Sequence, residues 1–173
     1  MGVDGVVVPI TVEAQVEALF RQEYVSLVRL ASLLLGDRAA SEEVVQDAFV
    51  RLQTGWDRIR DPQKATAWLR SAVLNGARST IRRRAVRRRG LEPVPDVAPS
   101  AEAGALVADD HRRMVAALRR LPVRQREAVT LRFYLDLSEA ATAEAMGVST
   151  GSVKTHVHRG LAALQALLEE VDR

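Results

Sequence analysis

The sequence predicts an all-α protein built as two small helical domains joined by a flexible linker. Three observations predict it. Alanine, leucine and arginine dominate a chain of 173 residues with 47% hydrophobic and 4% aromatic content, a mix that favours helix nearly everywhere. Apolar residues recur at spacings of three and four on both sides of one interruption. That interruption, residues 90–108, is rich in Pro, Ala and acidic residues and lacks helical periodicity in its first half, which reads as a linker.

Residues 1–12, MGVDGVVVPITV, have no basic segment, and their apolar run breaks at Pro9. They read as a disordered leader, neither a signal peptide nor a membrane span. An opening helix runs from about Glu13 to Leu35, burying Leu19, Phe20, Leu27, Leu30 and Leu34, and breaks at Gly36-Asp37. A second helix is expected to begin near Ser41, with Glu42 and Glu43 suiting its positive end. Its apolar seam is Val45, Phe49, Leu52 and Trp56, leaving Glu43, Gln46, Asp47, Val50 and Arg51 on other faces. Asp61-Pro62 is a helix start, an acceptor side chain before a residue preset for the first turn. The third helix carries Ala65, Leu69, Ala72, Val73 and Gly76 on one side and Ser71, Asn75, Arg78 and Arg82 on the other. It ends in IRRRAVRRRG, a run dense enough to repel itself unless a polyanion or acidic protein is near. Residues 13–89 form the first predicted domain.

The second, residues 109–173, opens with a helix that closes at Leu121-Pro122 and another from about Val123 to Tyr134. The segment LSEAATAEAMGVSTGSVKTHVHRGLAAL then reads as two short helices joined by a turn, the pattern of a DNA-reading helix-turn-helix. Phe133 and Tyr134, just before it, are expected to wedge it into place. Ser138 caps its first helix, Gly147 suits the left-handed exit, and Ser149 or Thr150 caps its second. Val153, Val157, Leu161, Leu164 and Leu168 make one apolar stripe. The opposite face carries Ser152, Thr155 and Arg159, flanked by Lys154, His156 and His158, with hydrogen-bonding groups for base edges and charges for phosphates.

No cysteine is present, which excludes disulfides and zinc-thiolate sites. No glycine loop precedes a Lys-Ser or Lys-Thr pair. His156 and His158 diverge by about 200° on a helix and do not form a metal site. The adjacent carboxylates Glu42-Glu43, Asp109-Asp110 and Glu169-Glu170 splay apart, so no catalytic residue, metal or cofactor is expected. Trp68 reads as core or core edge rather than as a base-stacking platform.

Three blocks in order, DRAASEEVVQDAFVRLQTGWDRI, ATAWLRSAVLNGARSTIRRR and LPVRQREAVTLRFYLDLSEAATAEAMGVSTGSVKTHVHR, resemble the extracytoplasmic-function sigma factors, the small two-domain members of the bacterial sigma-70 family. The resemblance implies that residues 13–89 are sigma region 2 and residues 109–173 sigma region 4. It implies core RNA polymerase binding by Asp37, Glu42, Glu43, Gln46, Asp47, Val50 and Arg51. It implies contact with the start-proximal promoter element by Arg58, Arg60, Lys64, Asn75, Arg78, Arg82 and Arg83. It implies upstream reading by Ser152, Lys154, Thr155, His156, His158 and Arg159. Glu92, Asp96 and Glu102 would suit a linker strand mimicking nucleic acid.

The implied protein is a cytoplasmic, non-enzymatic specificity subunit with core polymerase, promoter DNA and an anti-sigma factor as partners, and without membrane insertion. In its sequestered form the two domains are expected to pack compactly on that inhibitor. Two positions depart from the family pattern: His156 stands where arginine is frequent, and Ser79 where aspartate is common. Thr155-His156-Val157 looks more like the LuxR-type output domain, so the alternative function is a LuxR-like regulator binding operator DNA without polymerase.

Overall fold

Caps written into the sequence set the ends of most helices. In the computed structural model, which describes residues 11–59, 61–88 and 105–171, Thr11 accepts from the Ala14 N–H and starts α1 (Val12–Leu35). Asp37 accepts from the Ala40 N–H at 3.1 Å and starts α2 (Arg38–Thr54). The start expected near Ser41 is therefore too late. The Ser41 hydroxyl is buried and donates to the Asp37 carbonyl at 2.6 Å, satisfying the backbone from inside the helix.

Two 3-10 turns, Trp56–Arg58 and Pro62–Lys64, lead into α3 (Ala65–Arg88), and Asp61 caps the second turn by accepting from the Gln63 N–H. The remaining helices are α4 (Ala105–Arg120), α5 (Val123–Phe133), α6 (Glu139–Met146) and α7 (Thr150–Val171). Residues 105–108, expected in the linker, belong to α4, where Ala, Leu, Val and Ala are compatible with helix. Among the described residues there is no strand, and no helix is long and apolar enough to cross a membrane.

Leu27, Leu30 and Leu34 of α1, Val45 and Leu52 of α2, and Leu69 and Val73 of α3 are fully or almost fully buried. This cluster continues without a break into Leu131, Met146 and Val153 of the carboxyl half. The halves share a core because α1 packs against α4 and α5, while α3 packs against α6. A smaller cluster of Ala117, Leu118, Leu121, Val129 and Leu164 holds α4, α5 and α7 together, and Leu33 of α1 leans on it. Gly160 permits the closest approach there. A Cβ on it would lie 2.7 Å from Val129 Cγ2 and 3.3 Å from the Gln125 carbonyl oxygen.

Four apolar assignments are corrected by these contacts. Phe20 is 41% exposed, its ring at the core edge 4.5 Å from that of Tyr24 and 5.0 Å from that of Phe49. Leu161 lies on the expected stripe of α7 but is 39% exposed. Phe133 is 63% exposed and Tyr134 is also exposed, so they do not wedge the helix-turn-helix. Leu131 and Leu137 are instead the buried residues of this stretch, in one core cluster with Ala143, Met146 and Val153.

Arg126, in the middle of α5, is buried and ties three segments together. Its Nη1 donates to the Leu34 carbonyl and its Nη2 to the carbonyls of Arg119 and Leu121. These oxygens lie in the last turns of α1 and α4 or just beyond, where backbone acceptors have no partner within the helix. Burial pushes the Arg126 guanidinium below its ordinary pKa, neighbouring Arg119 adds to that, and Glu127 opposes it.

Candidate nucleic-acid and protein interfaces

The outward face of α2 is the first candidate surface. Glu43, Gln46, Asp47, Val50 and Arg51 are all exposed, and the first four lie at helical spacings of three, four and seven. Val50, 59% exposed, places an apolar patch among them. Asp37 and Glu42 have local partners. Asp37 caps α2 and pairs with Arg84 at 2.6 Å, while Glu42 accepts from Arg38 at 2.9 Å.

The second surface is a basic track along α2 and α3. One cavity of about 670 Å³ is lined by Arg51, Thr54, Gly55, Arg58, Ile59, Asp61, Lys64 and Trp68. A second, of about 450 Å³, lies between α2 and α3 and is lined by Val44, Asp47, Ala48, Arg51, Ala72, Asn75, Gly76, Arg78, Ser79, Arg82 and Arg83. Arg51 borders both, so the cavities adjoin. Each combines several cations with one carboxylate, an arrangement suited to phosphate oxygens. Trp68 supplies a half-exposed aromatic wall where an unstacked base could lie.

The structure therefore brings Arg58, Lys64, Asn75, Arg78, Arg82 and Arg83 to one side of the molecule, while Arg60 lies outside the described residues. Arg82 and Arg83 are exposed. Arg78 instead reaches into the carboxyl half. Its Nε and Nη2 donate to Glu127 Oε1 and Oε2 at 2.6 and 2.8 Å, and its Nη1 to Asn75 Oδ1 at 2.8 Å.

The third surface is the amino-terminal half of α7. Ser138 accepts from the Ala141 N–H to start α6, and Gly147 leaves it with φ 67°, a value that L residues with a Cβ rarely adopt. Ser149 accepts from the Ser152 N–H. Val153 is fully buried and anchors the helix, while Lys154, Thr155, His158 and Arg159 are exposed, and Ser152 and His156 are half-buried at the edges of the same face. Lys154 pairs with Glu139 at 3.5 Å, an exposed contact of small energetic weight.

Sequence reasoning misses the part that three residues play in this arrangement. Trp68 lines a cavity, and Arg51 joins two surfaces. Glu127, 1% exposed, holds the halves together. For Glu127 the available signal was a carboxylate set among Ala128, Val129 and Leu131 on a core helix. The linker residues Glu92, Asp96 and Glu102 lie outside the described residues.

Comparison with known proteins agrees over both halves. Residues 19–87 match sigma-70 region 2 and residues 111–164 match sigma-70 region 4. The chain is 35% identical over 163 residues to the RNA polymerase sigma-E factor of Streptomyces avermitilis, covering 90% of this chain and 89% of that one. It is 33% identical over 152 residues to the ECF RNA polymerase sigma factor SigM of Mycobacterium tuberculosis, covering 88% and 76% respectively. Among solved structures it resembles the sigma factor RpoE of Bartonella quintana in complex with the anti-sigma factor NepR. That likeness has a TM-score of 0.75 at 26% identity, over 91% of this chain and 98% of that one. The fold is also that of CnrH bound to the cytosolic domain of CnrY, with a TM-score of 0.69 at 24% identity over 90% and 88% of the two chains.

Proposed function

The chain belongs to the extracytoplasmic-function RNA polymerase sigma factors of the sigma-70 family, and we propose how its surfaces divide the work of promoter-specific initiation. Core RNA polymerase docks on the outward face of α2, with Glu43, Gln46, Asp47 and Val50 as its centre. The basic track of Arg51, Arg58, Lys64, Arg82 and Arg83, with Asn75 and Arg78, takes the start-proximal promoter element. Trp68 stacks an unpaired base beside it. The exposed face of α7 reads the upstream element through Ser152, Lys154, Thr155, His156, His158 and Arg159.

Residues 12–89 and 105–173 are the two working domains, and residues 90–104 connect them. The factor makes and breaks no bond. Its contribution is binding energy that offsets the few kcal/mol needed to unpair and extrude bases. It works in the cytoplasm, where polymerase and chromosome are, and an anti-sigma factor holds it until needed. The likeness to a sigma factor bound to its anti-sigma factor spans both halves of the chain and supports that last assignment.

The observation that carries the reading is the adjacency of an aromatic-walled basic track to the exposed α2 face, which supports an arrangement with single-stranded DNA beside the polymerase contact. A LuxR-like regulator is set aside, because residues 19–87 match sigma region 2. The test is native co-migration of the purified chain with bacterial core RNA polymerase, followed by transcription from a promoter library. Association with new start sites is the expected result. Failure to associate, with specific duplex binding by the chain alone, would overturn the reading.

A further inference from the structure

We infer that α7 takes up protons as it binds the upstream element, His156 and His158 each becoming an imidazolium ion against a phosphate wall of the groove, so that promoter binding strengthens as pH falls. The inference rests on the reading of α7 as the upstream DNA contact. The chain has three histidines, and two of them stand on this face. They diverge by about 200° around the helix, so they lie at opposite edges of the face that carries Ser152, Thr155 and Arg159 between them. A major groove about 12 Å wide admits one helix, with base edges on its floor and phosphates along its walls. Residues in the middle of the face then meet bases, and the two histidines meet phosphates.

The free chain offers these imidazoles no anion. Before Glu169, α7 contains no acidic residue. It packs on α4, α5 and α6. Helix α4 meets its carboxyl half, where Leu118 and Leu121 cluster with Leu164 and Arg120 pairs with Glu170 at 3.1 Å. Helix α5 carries Arg124, Arg126, Glu127 and Arg132, and α6 carries Glu139 and Glu144, with Asp136 in the turn between them. Glu127 is engaged by Arg78 and Arg124, and Glu139 by Lys154. Among the described residues neither imidazole has a hydrogen-bond or ion-pair partner, while Lys154 and Arg159 stand one turn from His158 and His156.

Promoter phosphate supplies the missing partner. A nearby anion favours the charged form of histidine, a residue type whose charge changes between about pH 5 and pH 8. The bound state then holds more protons than the free one, so affinity falls as pH rises through that window. The probe is holoenzyme, formed with bacterial core polymerase, against a fluorescent duplex carrying the upstream element recovered from the promoter library, at one fixed ionic strength. Binding should be about tenfold tighter near pH 6 than near pH 8.5. The variant His156→Gln/His158→Gln, neutral at every pH, should lose that dependence, with His111 on α4 retained as an internal control. Arg159→Ala should weaken binding at every pH and keep the dependence.

A wild-type affinity that does not change with pH, or a dependence that survives in the double variant, would overturn the inference. In either case a loss of binding in Arg159→Ala leaves the reading of α7 standing without it. If Arg159→Ala and the double variant both bind like wild type at every pH, that reading falls and the inference falls with it. Should the double variant fail to fold, His158→Gln alone, at an exposed position, decides. A shallower pH dependence supports the inference, and an unchanged one overturns it.

Discussion

Replacing Arg126 by Met tests whether a buried cation holds this helical assembly together. Met matches the length of the arginine stem and keeps the apolar contacts but removes the guanidinium that donates to the Leu34, Arg119 and Leu121 carbonyls. A hydrogen bond from a charged donor contributes about 1.5–3 kcal/mol, and three are lost. Returning the site to an uncharged side chain recovers several kcal/mol of desolvation, which burial imposes on this group. A net loss of about 2–4 kcal/mol remains, because the three carbonyls lose their shared donor at positions where helices supply none. For a chain of this size that corresponds to a fall in Tm of roughly 5–15 °C. Denaturant unfolding followed by circular dichroism at 222 nm measures it, with exposed Arg87→Met as a control expected to stay within about 0.5 kcal/mol of wild type. A loss under about 1 kcal/mol for Arg126→Met would refute the reasoning, since the bonds would then merely repay their own desolvation.

Three further outcomes are expected at the surfaces. Replacing Asp47 and Val50 together by Arg should abolish co-migration with core polymerase while leaving the far-ultraviolet spectrum helical, because both side chains are exposed. Arg159→Ala should weaken binding of holoenzyme to the upstream element by about 1–3 kcal/mol, measured by competition with mutated promoters, and leave polymerase association intact. Trp68→Ala should weaken single-stranded start-proximal DNA by about 1–3 kcal/mol in fluorescence anisotropy with holoenzyme, with little loss of stability because the ring is half-exposed.

Local features were legible in the sequence. The Ser138 cap, the left-handed Gly147 and the buried Val153 are consequences of residues within a few positions of one another, and the structure contains all three. Periodicity also separated the exposed Glu43, Gln46 and Asp47 from the buried Val45 and Leu52. It failed where the extent of a neighbour decides. Phe20 and Leu161 lie on the correct sides of their helices but at the margin of what packs on them. The start of α2 was misplaced because Ser41 and Asp37 both offer cap chemistry, and only the backbone geometry selects Asp37. Contacts between the halves were least legible. Arg78 and Glu127 are 49 positions apart, and Arg126 and Leu34 are 92 apart. Nothing in the sequence near either member names its partner.

The anchoring of α7 has a consequence for how such a factor changes over time. Val153, Gly160 and Leu164 fix the helix against its neighbours, while Thr155, His158 and Arg159 point away from every packed surface. If these residues read the upstream element as proposed, exchanging them alters the address with small effect on folding, since exposed substitutions generally shift stability by less than about 0.5 kcal/mol. A duplicated copy of the chain could therefore be redirected to a different set of promoters in a few single-residue steps, each passing through a folded, polymerase-competent intermediate.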